Sequence, residues 1–216
     1  MNPVVSSAYL SRISALLAGG QRKLLGLVGP PGGGKSTLAQ ALLDALPGRA
    51  VVVPMDGFHL ANAELARLGR ALRKGAPDTF DSAGYLALLR RLKAQRADDI
   101  VYAPEFRRDI EEPIAGAIAV LPQVPLVITE GNYLLLDTGP WAGVREQLDE
   151  VWFVDTDAAL RRDRLVGRHM QFGRTLQEAR DWVATTDEPN AGLIAATRHR
   201  ADVEFRWNEP ATGAAG

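Results

Sequence analysis

The amino-acid sequence predicts an α/β fold, a three-layer sandwich in which helices cover both faces of a central parallel sheet of about five strands. Short apolar runs without alternating polar residues occur at 24–28, 50–53, 126–129 and 151–154. Such runs are typical of parallel strands that are buried on both faces. They alternate with segments of helical periodicity, which indicates βαβ units. We find no internal repeat and no linker, so residues 1–216 are expected to form one domain with its core over about 22–205.

The individual elements follow from periodicity, capping residues and breakers. Asp81 or Ser82 is expected to cap a helix, because a short polar side chain accepts hydrogen bonds from the free N–H groups at a helix start. Pro54 ends a strand, because proline lacks the N–H that a strand ladder needs. In chain order, helices are predicted over residues 7–18, 38–46, 61–72, 82–92 and 158–170, the last followed by a break at 171–174 and two further helices. The remaining predictions are a strand at 100–102, a hairpin arm at 118–121, an edge strand at 203–205 and a disordered Ala/Gly tail.

The composition is that of an ordinary globular domain and excludes several function classes. The net charge of −1 gives no general reason to expect binding to nucleic acid. The absence of cysteine excludes disulfides and thiolate metal sites. No apolar run approaches the length of a membrane span, and the first residues lack the pattern of a secretion signal. We therefore expect a cytoplasmic protein without a membrane or nucleic-acid partner, and the oligomeric state, a homodimer included, stays open.

The strand at 24–28 ends in a glycine-rich loop that a helical segment follows at once. The loop and the start of the helix fit the pattern G-x-x-x-x-G-K-[ST] and consist of Gly29, Pro30, Pro31, Gly32, Gly33, Gly34, Lys35, Ser36 and Thr37. Glycines let successive N–H groups turn toward an anion at a helix N-terminus. In this pattern Lys35 reaches the β- and γ-phosphates, and the Ser36 hydroxyl binds Mg²⁺. The pattern predicts a P-loop NTPase fold that binds a nucleotide, the alternative being a Gly/Pro turn that precedes a helix by chance.

Two acidic residues follow strands at the edge where this loop is expected to lie. Ligands of open α/β sheets gather at the carboxyl ends of the strands. Asp56 comes just after the strand at 50–53 and is predicted to accept the proton of an attacking hydroxyl. Glu130 ends the strand at 126–129 and is predicted to hold Mg²⁺ directly or through water. The alternatives are that Asp56 caps a helix or turn and that Glu130 is a turn acid.

Arginines are concentrated in the helical segment after the last strand of the predicted sheet. Residues 161–174 contain five arginines against a single acid. Arg164 and Arg168 stand four residues apart and therefore on one helical face. Glycines bracket the turn region, as expected of a hinged flap. We predict a helical lid over about 161–176 whose arginines Arg164 and Arg168 close over the triphosphate and stabilise the transferring phosphoryl group. A solvated helix face is the alternative.

Further motifs occur along the chain in the order of one known family. They lie at residues 55–59, 73–81, 102–108, 129–134, 164–169 and 187–191. Together with the glycine-rich loop, they resemble the uridine kinase, pantothenate kinase and phosphoribulokinase group of P-loop kinases. The resemblance is greatest to the pantothenate kinase branch and to small bacterial relatives known as nucleoside/nucleotide kinases or fructose-transport-system kinases. It implies that Asp56 is the catalytic base, that Glu130 is the Mg²⁺-linked acid, and that Arg164 and Arg168 are lid residues.

The resemblance leaves the phosphoryl acceptor open. Uridine kinases usually carry a second acid and a tyrosine around the position of Asp56, where this chain has Gly57, Phe58 and His59. Pantothenate kinases of this type are considerably longer than this chain. The resemblance favours Arg108 over Arg107 as the substrate-side arginine. The residues predicted to line the acceptor pocket are Phe58, His59, Arg73, Lys74, Tyr102, Arg108, Asn132 and Tyr133.

Most of these acceptor-side residues also have an ordinary structural explanation. His59 can be a hydrogen-bond partner at a helix start, and the two tyrosines can be edges of the core. The neighbouring loop cations at 73 and 74 can be exposed surface charges. Asp187 and Asn190 precede a helix and either cap it or bind a ligand.

Two hypotheses from different classes remain. The first is an ATP-dependent kinase that phosphorylates a hydroxyl of a sugar, nucleoside or related polyol, with a pantothenate-like acid as an alternative acceptor. The second is a switch or assembly protein that hydrolyses nucleotide to change its partners. A guanine-specific switch normally carries N-K-x-D after a later strand, and the sequence contains no such motif. We therefore expect a kinase with ATP and Mg²⁺ as cofactors and a small hydroxyl compound as its partner.

Overall fold

A computed structural model of the chain describes residues 4–207 and 212–213. The strands are β1 (Lys23–Val28), β2 (Ala50–Pro54), β3 (Val101–Arg107), β4 (Glu112–Val120), β5 (Leu126–Gly131), β6 (Glu150–Val154), β7 (Val203–Phe205) and β8 (Thr212–Gly213). The helices are α1 (Ser7–Leu16), α2 (Lys35–Ala45), α3 (Asn62–Arg67), α4 (Ser82–Lys93), α5 (Ala158–Gln171), α6 (Leu176–Trp182) and α7 (Glu188–Ala195), and a π-helical turn (Val183–Asp187) joins the last two. Five strands pair in parallel in the order β2-β5-β1-β6-β7. The predicted α/β fold is confirmed.

Side chains of the sheet alternate between two apolar clusters, one on each face. In β1, Leu24 and Val28 belong to one cluster, whereas Leu25 and Leu27 belong to the other. Apolar residues of α4 cover the first cluster, and those of α1 and α2 cover the second. Because helices cover both faces, the central strands have no polar side, which explains their continuous apolar runs in the sequence. The three layers are those that the sequence predicts.

The register of the parallel strands brings several loops to one edge of the sheet. Val28, the last residue of β1, lies opposite Gly131 of β5 and Phe153 of β6. Pro54, the last residue of β2, lies opposite Glu130 of β5. The segments that follow these strands therefore leave the sheet together at its carboxyl edge, which is where ligands bind in open α/β sheets.

The helix predicted over 61–72 is shorter in the structure. The helix α3 ends at Arg67, and Gly69 then takes a left-handed backbone conformation with φ of 67°. Glycine adopts this conformation without steric cost, so the chain turns there and α3 does not continue. Leu72, which falls on the predicted helix, is 90% exposed. Its side chain therefore gives no packing energy that would extend the helix.

The strand predicted at 100–102 and the arm at 118–121 are parts of one larger hairpin. The strands β3 and β4 pair antiparallel and form a separate two-stranded sheet. Their register shifts between Ala103 and Glu105, on either side of Pro104. Proline has no N–H for the ladder and is found in strands at bulges or edges. Pairing therefore resumes beyond Pro104, and the hairpin extends beyond the two apolar segments from which it was predicted.

The end of the chain is described only in part. The strand β8 pairs antiparallel with β7 through Thr212 and Gly213, so the prediction of a disordered tail is wrong for these two residues. The rest of that prediction falls on 208–211 and 214–216, which lie outside the described residues. Within the part of the chain that the structure describes, no helix has the length and apolar character that crossing a membrane requires.

A pair of buried hydroxyl groups ties α4 to the sheet. Thr129 of β5 donates through Oγ1 to the carbonyl oxygen of Val53 in β2 at 2.7 Å. The Tyr85 hydroxyl of α4 lies 2.6 Å from the same Oγ1. Because the threonine proton is used for Val53, the tyrosine donates and the threonine accepts.

We expect Tyr85→Phe to lower the free energy of unfolding by about 1 kcal/mol, because it removes a buried hydrogen bond while the apolar packing of the ring remains. Urea denaturation of the two proteins measures the difference. As a control, Tyr102→Phe removes the same atom from a side chain that is 55% exposed. This change should stay within about 0.5 kcal/mol, and equal losses in the two variants would show that the buried bond does not stabilise the fold.

Candidate active site

A cavity of about 1660 Å³ lies above the carboxyl edge of the sheet. Its lining comes from the glycine-rich loop, the segment after β2, the tip of the β3–β4 hairpin, the ends of β5 and β6, and α5. Typical small-molecule sites have volumes of roughly 300–1,000 Å³. The cavity is therefore large enough for a nucleotide and a second molecule at the same time.

The glycine-rich loop has the backbone conformation that its sequence predicts. Gly34 is left-handed, with φ of 85°, and directly precedes α2. Gly32 is also left-handed, with φ of 75°, and a Cβ atom there would lie 2.8 Å from the carbonyl oxygen of Arg161 and from Cγ of Leu165. Both glycines are required, the first by the turn into the helix and the second by the close approach of α5. The free N–H groups at the start of α2 thus face the cavity as a site for an anion.

The ammonium group of Lys35 is buried at the base of this loop. Its Nζ donates to the carbonyl oxygens of Gly29 and Pro30 at 2.9 and 3.1 Å, and to Oδ1 of Asn132 at 2.7 Å. Burial lowers the pKa of Lys35 to about 8, although Glu130 and Asp56 oppose the shift. The geometry thus holds a positive charge against the wall of the cavity, where the loop would place phosphate oxygens.

Two carboxylates lie close to this lysine. The Ser36 hydroxyl donates to Oε1 of Glu130 at 3.0 Å. Burial raises the pKa of Glu130, and the negative charge of Asp56 adds to the increase. Asp56 lines the cavity from the segment after β2, and its Oδ2 lies 3.4 Å from Nη2 of Arg108. The negative charge of Asp56 therefore acts on Glu130 across the cavity floor.

The arginines of α5 occupy two different environments. Arg164 and Arg168 line the cavity. Burial lowers the pKa of Arg168, and the nearby positive charge of Arg108 adds to the decrease. Arg161, at the start of the predicted lid, is buried, donates to the carbonyl of Pro31 at 3.3 Å and pairs with a glutamate of α7. It forms part of the packed base of α5, whereas the other two arginines face the space above the loop.

The structure brings four of the eight predicted acceptor-side residues to the cavity: His59, Lys74, Arg108 and Asn132. The His59 ring packs between Phe80 and Phe106, with centroid distances of 4.0 and 4.6 Å. Burial lowers the pKa of His59, which favours its neutral form. Arg107, the other candidate for a substrate-side arginine, instead pairs with Asp109 at 2.8 Å and is not part of the lining.

The other four predicted residues lie outside the cavity lining. Phe58 packs against the core, with its ring 5.3 Å from that of Tyr85. Tyr133 is fully buried and its hydroxyl donates to the carbonyl oxygen of Gly75. Tyr102 is exposed, because strand alternation turns its neighbours on β3 inward. Arg73 is also exposed, and it pairs with an aspartate of the same loop.

The structure adds lining residues that the sequence did not single out. Asp155 and Thr156 follow β6, and Trp207 follows β7, so the rule of strand ends could have indicated them. His169 of the motif at 164–169 also lines the cavity, as does Asp187, for which the sequence left open a helix cap or a ligand-binding residue, and His169 Nε2 lies 2.8 Å from Oδ2 of Asp187. This contact joins α5 to the π-helical turn, and no local pattern in the sequence predicts it.

Comparisons with known proteins identify relatives of this chain. No established sequence-family profile matches the chain. A candidate uridine kinase of Schizosaccharomyces pombe is 38% identical in an alignment of 215 positions that covers 93% of this chain and 91% of that protein. A pantothenate kinase of Leifsonia xyli subsp. xyli is 28% identical in an alignment of 245 positions, gaps included, that covers 91% of this chain and 75% of that enzyme.

A solved structure shares the whole architecture. The crystal structure of a candidate fructose transport system kinase from Silicibacter sp. TM1040 superposes with a TM-score of 0.81 and 37% sequence identity, covering 94% of this chain and all of that one. Identity of this extent over nearly the full length of both chains, with the same fold, means that this chain belongs to the uridine kinase and pantothenate kinase family of P-loop kinases.

Proposed function

We propose that this protein transfers the γ-phosphoryl group of ATP to a hydroxyl group of a small metabolite, such as a sugar, a nucleoside or a related polyol. The observation that carries the proposal is that Lys35 and Asp56 line the same cavity, one at the phosphate loop and one after β2. A kinase needs a group that holds phosphate and a second group that takes the proton of the acceptor. A nucleotide switch has no need of the second group.

The transfer step follows from this arrangement. The acceptor oxygen forms a bond to the γ-phosphorus while the bond from that phosphorus to the bridging oxygen of ADP breaks. The hydroxyl proton passes to the carboxylate of Asp56. Lys35 and Arg168 offer positive charge to the phosphoryl oxygens, and both are largely removed from water, which strengthens their attraction for that negative charge.

The residues present fit Mg²⁺ as a cofactor. A hydroxyl and a carboxylate, those of Ser36 and Glu130, lie 3.0 Å apart at the cavity floor. Mg²⁺ prefers oxygen ligands and is usually held by one or two carboxylates together with substrate phosphates. Ser36 and Glu130 would hold the ion, which when bound neutralises charge on the β- and γ-phosphates.

We expect Asp56→Asn to lower kcat by about 10² to 10⁴, because the amide cannot accept the hydroxyl proton, and to leave the affinity for ATP within about threefold. Release of ADP in the presence of an acceptor measures the first quantity, and calorimetric titration with ATP measures the second. Asp98→Asn makes the same change in a side chain that is 76% exposed and pairs with Arg96. This control should retain full turnover, and retention of full turnover by Asp56→Asn would remove the assignment as base.

We expect Lys35→Met to weaken ATP binding by about 10- to 100-fold, because charge-assisted hydrogen bonds to phosphate are lost. Lys23→Met is the matched control, since that lysine pairs with Asp149 at 3.4 Å on the opposite edge of the sheet. Titration with ATP under identical conditions compares the two variants. An unchanged affinity in Lys35→Met would mean that the nucleotide phosphates bind elsewhere.

A further inference from the structure

The strand order separates the cavity into two ends. The glycine-rich loop follows β1 at the centre of the sheet, Asp56 follows β2 on one side, and Asp155 follows β6 on the other. If the phosphates occupy the loop and Asp56 meets the acceptor, the acceptor binds at the β2 end. This inference therefore rests on the proposed function. The cations that line the β2 end are Lys74 and Arg108.

Lys74 is held in place by oxygens that carry no full charge. Its Nζ donates to Oδ1 of Asn62 at 2.7 Å and to the carbonyl oxygen of Glu111. Glu111 has a left-handed backbone with φ of 54°, which is unusual for a residue with a side chain. An ammonium group has three donors, so one N–H of Lys74 remains for the cavity.

The charge of Lys74 is only weakly balanced by the protein. The side chain is 15% exposed, and burial lowers its pKa. The carboxylate of Glu111 lies 3.8 Å from Nζ, and its side chain is 55% exposed, so solvent screens this pair. A largely buried ammonium that has a spare donor and no tight carboxylate partner is suited to bind an anion.

Arg108 is also left with spare donors. Among the described residues its ion-pair partner is Asp56, at 3.4 Å, which is a long contact for a charged pair. The other carboxylates around this end of the cavity have partners of their own: Glu130 with Ser36, Asp109 with Arg107, and Asp187 with His169. Among the described residues, the side chain of Arg168 makes no hydrogen bond or ion pair, and it lines the cavity.

We propose that the acceptor carries an anionic group, a carboxylate or a phosphate, in addition to the hydroxyl that is phosphorylated, and that Lys74 and Arg108 bind this group. The wall beside them is aromatic, since His59, Phe80 and Phe106 pack together there, and Nζ of Lys74 lies 5.1 Å from the Phe106 ring centroid. This wall suits the carbon skeleton of the acceptor. When Arg108 binds the anion, Asp56 loses its long contact and faces the hydroxyl alone.

Three pairs of acceptors test the proposal, because the two members of each pair differ in the anionic group. They are pantothenate and pantothenol, D-glycerate and glycerol, and ribose 5-phosphate and ribose. ADP release in the presence of Mg·ATP measures kcat/KM for each compound. In any pair that the enzyme phosphorylates, kcat/KM should be at least about tenfold higher for the anionic member, because charge-assisted hydrogen bonds to the anion add binding energy of that size. The first two pairs test a carboxylate, and the third tests a phosphate.

The lysine is then tested directly on the preferred acceptor. Lys74→Met should raise its KM by about 10- to 100-fold and leave the KM for ATP unchanged, whereas Lys74→Arg, which keeps the charge, should recover most of the loss. Lys93→Met changes an exposed lysine at the end of α4 that donates to the carbonyl oxygen of Gln147 and does not line the cavity, and this control should retain normal kinetics.

The possible outcomes test the anionic acceptor and the proposed function separately. A preference for the neutral members, or an unchanged acceptor KM in Lys74→Met, would overturn the anionic acceptor and leave the kinase proposal standing. If the protein binds ATP but phosphorylates none of the six compounds, the anionic acceptor is overturned, and the proposed function fails as well only if nucleosides are not phosphorylated either. A preference for anions that depends on Lys74 supports both.

Discussion

The buried ammonium of Lys35 constrains most of the structure around it. A charge that is removed from water is costly unless polar groups replace the water. Among the described residues Lys35 has no ion pair, and three oxygens surround it instead, the carbonyls of Gly29 and Pro30 and the side chain of Asn132. Two of these oxygens come from the loop after β1 and one from the segment after β5. The lysine is therefore satisfied only when these two strands end together at the centre of the sheet.

That requirement extends from the loop into the rest of the site. The same register that aligns Val28 with Gly131 also places Glu130 beside the start of α2, where Ser36 donates to it. A methyl group at Gly131 would meet the side chain of Met55 at 2.5 Å, so the segment that carries Asp56 is packed directly on the end of β5. The strand register and the close packing at Gly131 thus place the groups of the cavity floor.

The sequence predicts most of the fold because its signals are local. Continuous apolar runs mark the strands that are buried on both faces, and the glycine-rich loop fixes the junction of β1 and α2. The extent of the β3–β4 hairpin was not predictable in this way, since it depends on pairing between segments whose polar and small residues resemble a loop. The early end of α3 depends on Gly69, which helices also tolerate in their interior.

Some residues of the candidate site can be located from such local signals, and others cannot. Residues at or just after the ends of strands, such as Asp56 and Glu130, are found at the carboxyl edge by a general rule of open sheets. For residues on loops and hairpins, the sequence does not show which side chains reach the cavity. Tyr102 and Tyr133 look equally suited to a pocket, but the first is exposed by strand alternation and the second bonds to Gly75, which is distant in the chain.

Two consecutive acids govern how α5 can move. Asp187 ends the π-helical turn and bonds to His169, while Glu188 begins α7 and pairs with Arg161 near the start of α5. The two contacts on α5 are eight residues apart, which is about two helical turns or 12 Å. A tilt of α5 alone would break one of these contacts, whereas a rotation of α5 together with 176–195 keeps both. We infer that α5 and 176–195 form one unit, and since Arg161 also donates to the carbonyl of Pro31, this unit is anchored at the glycine-rich loop.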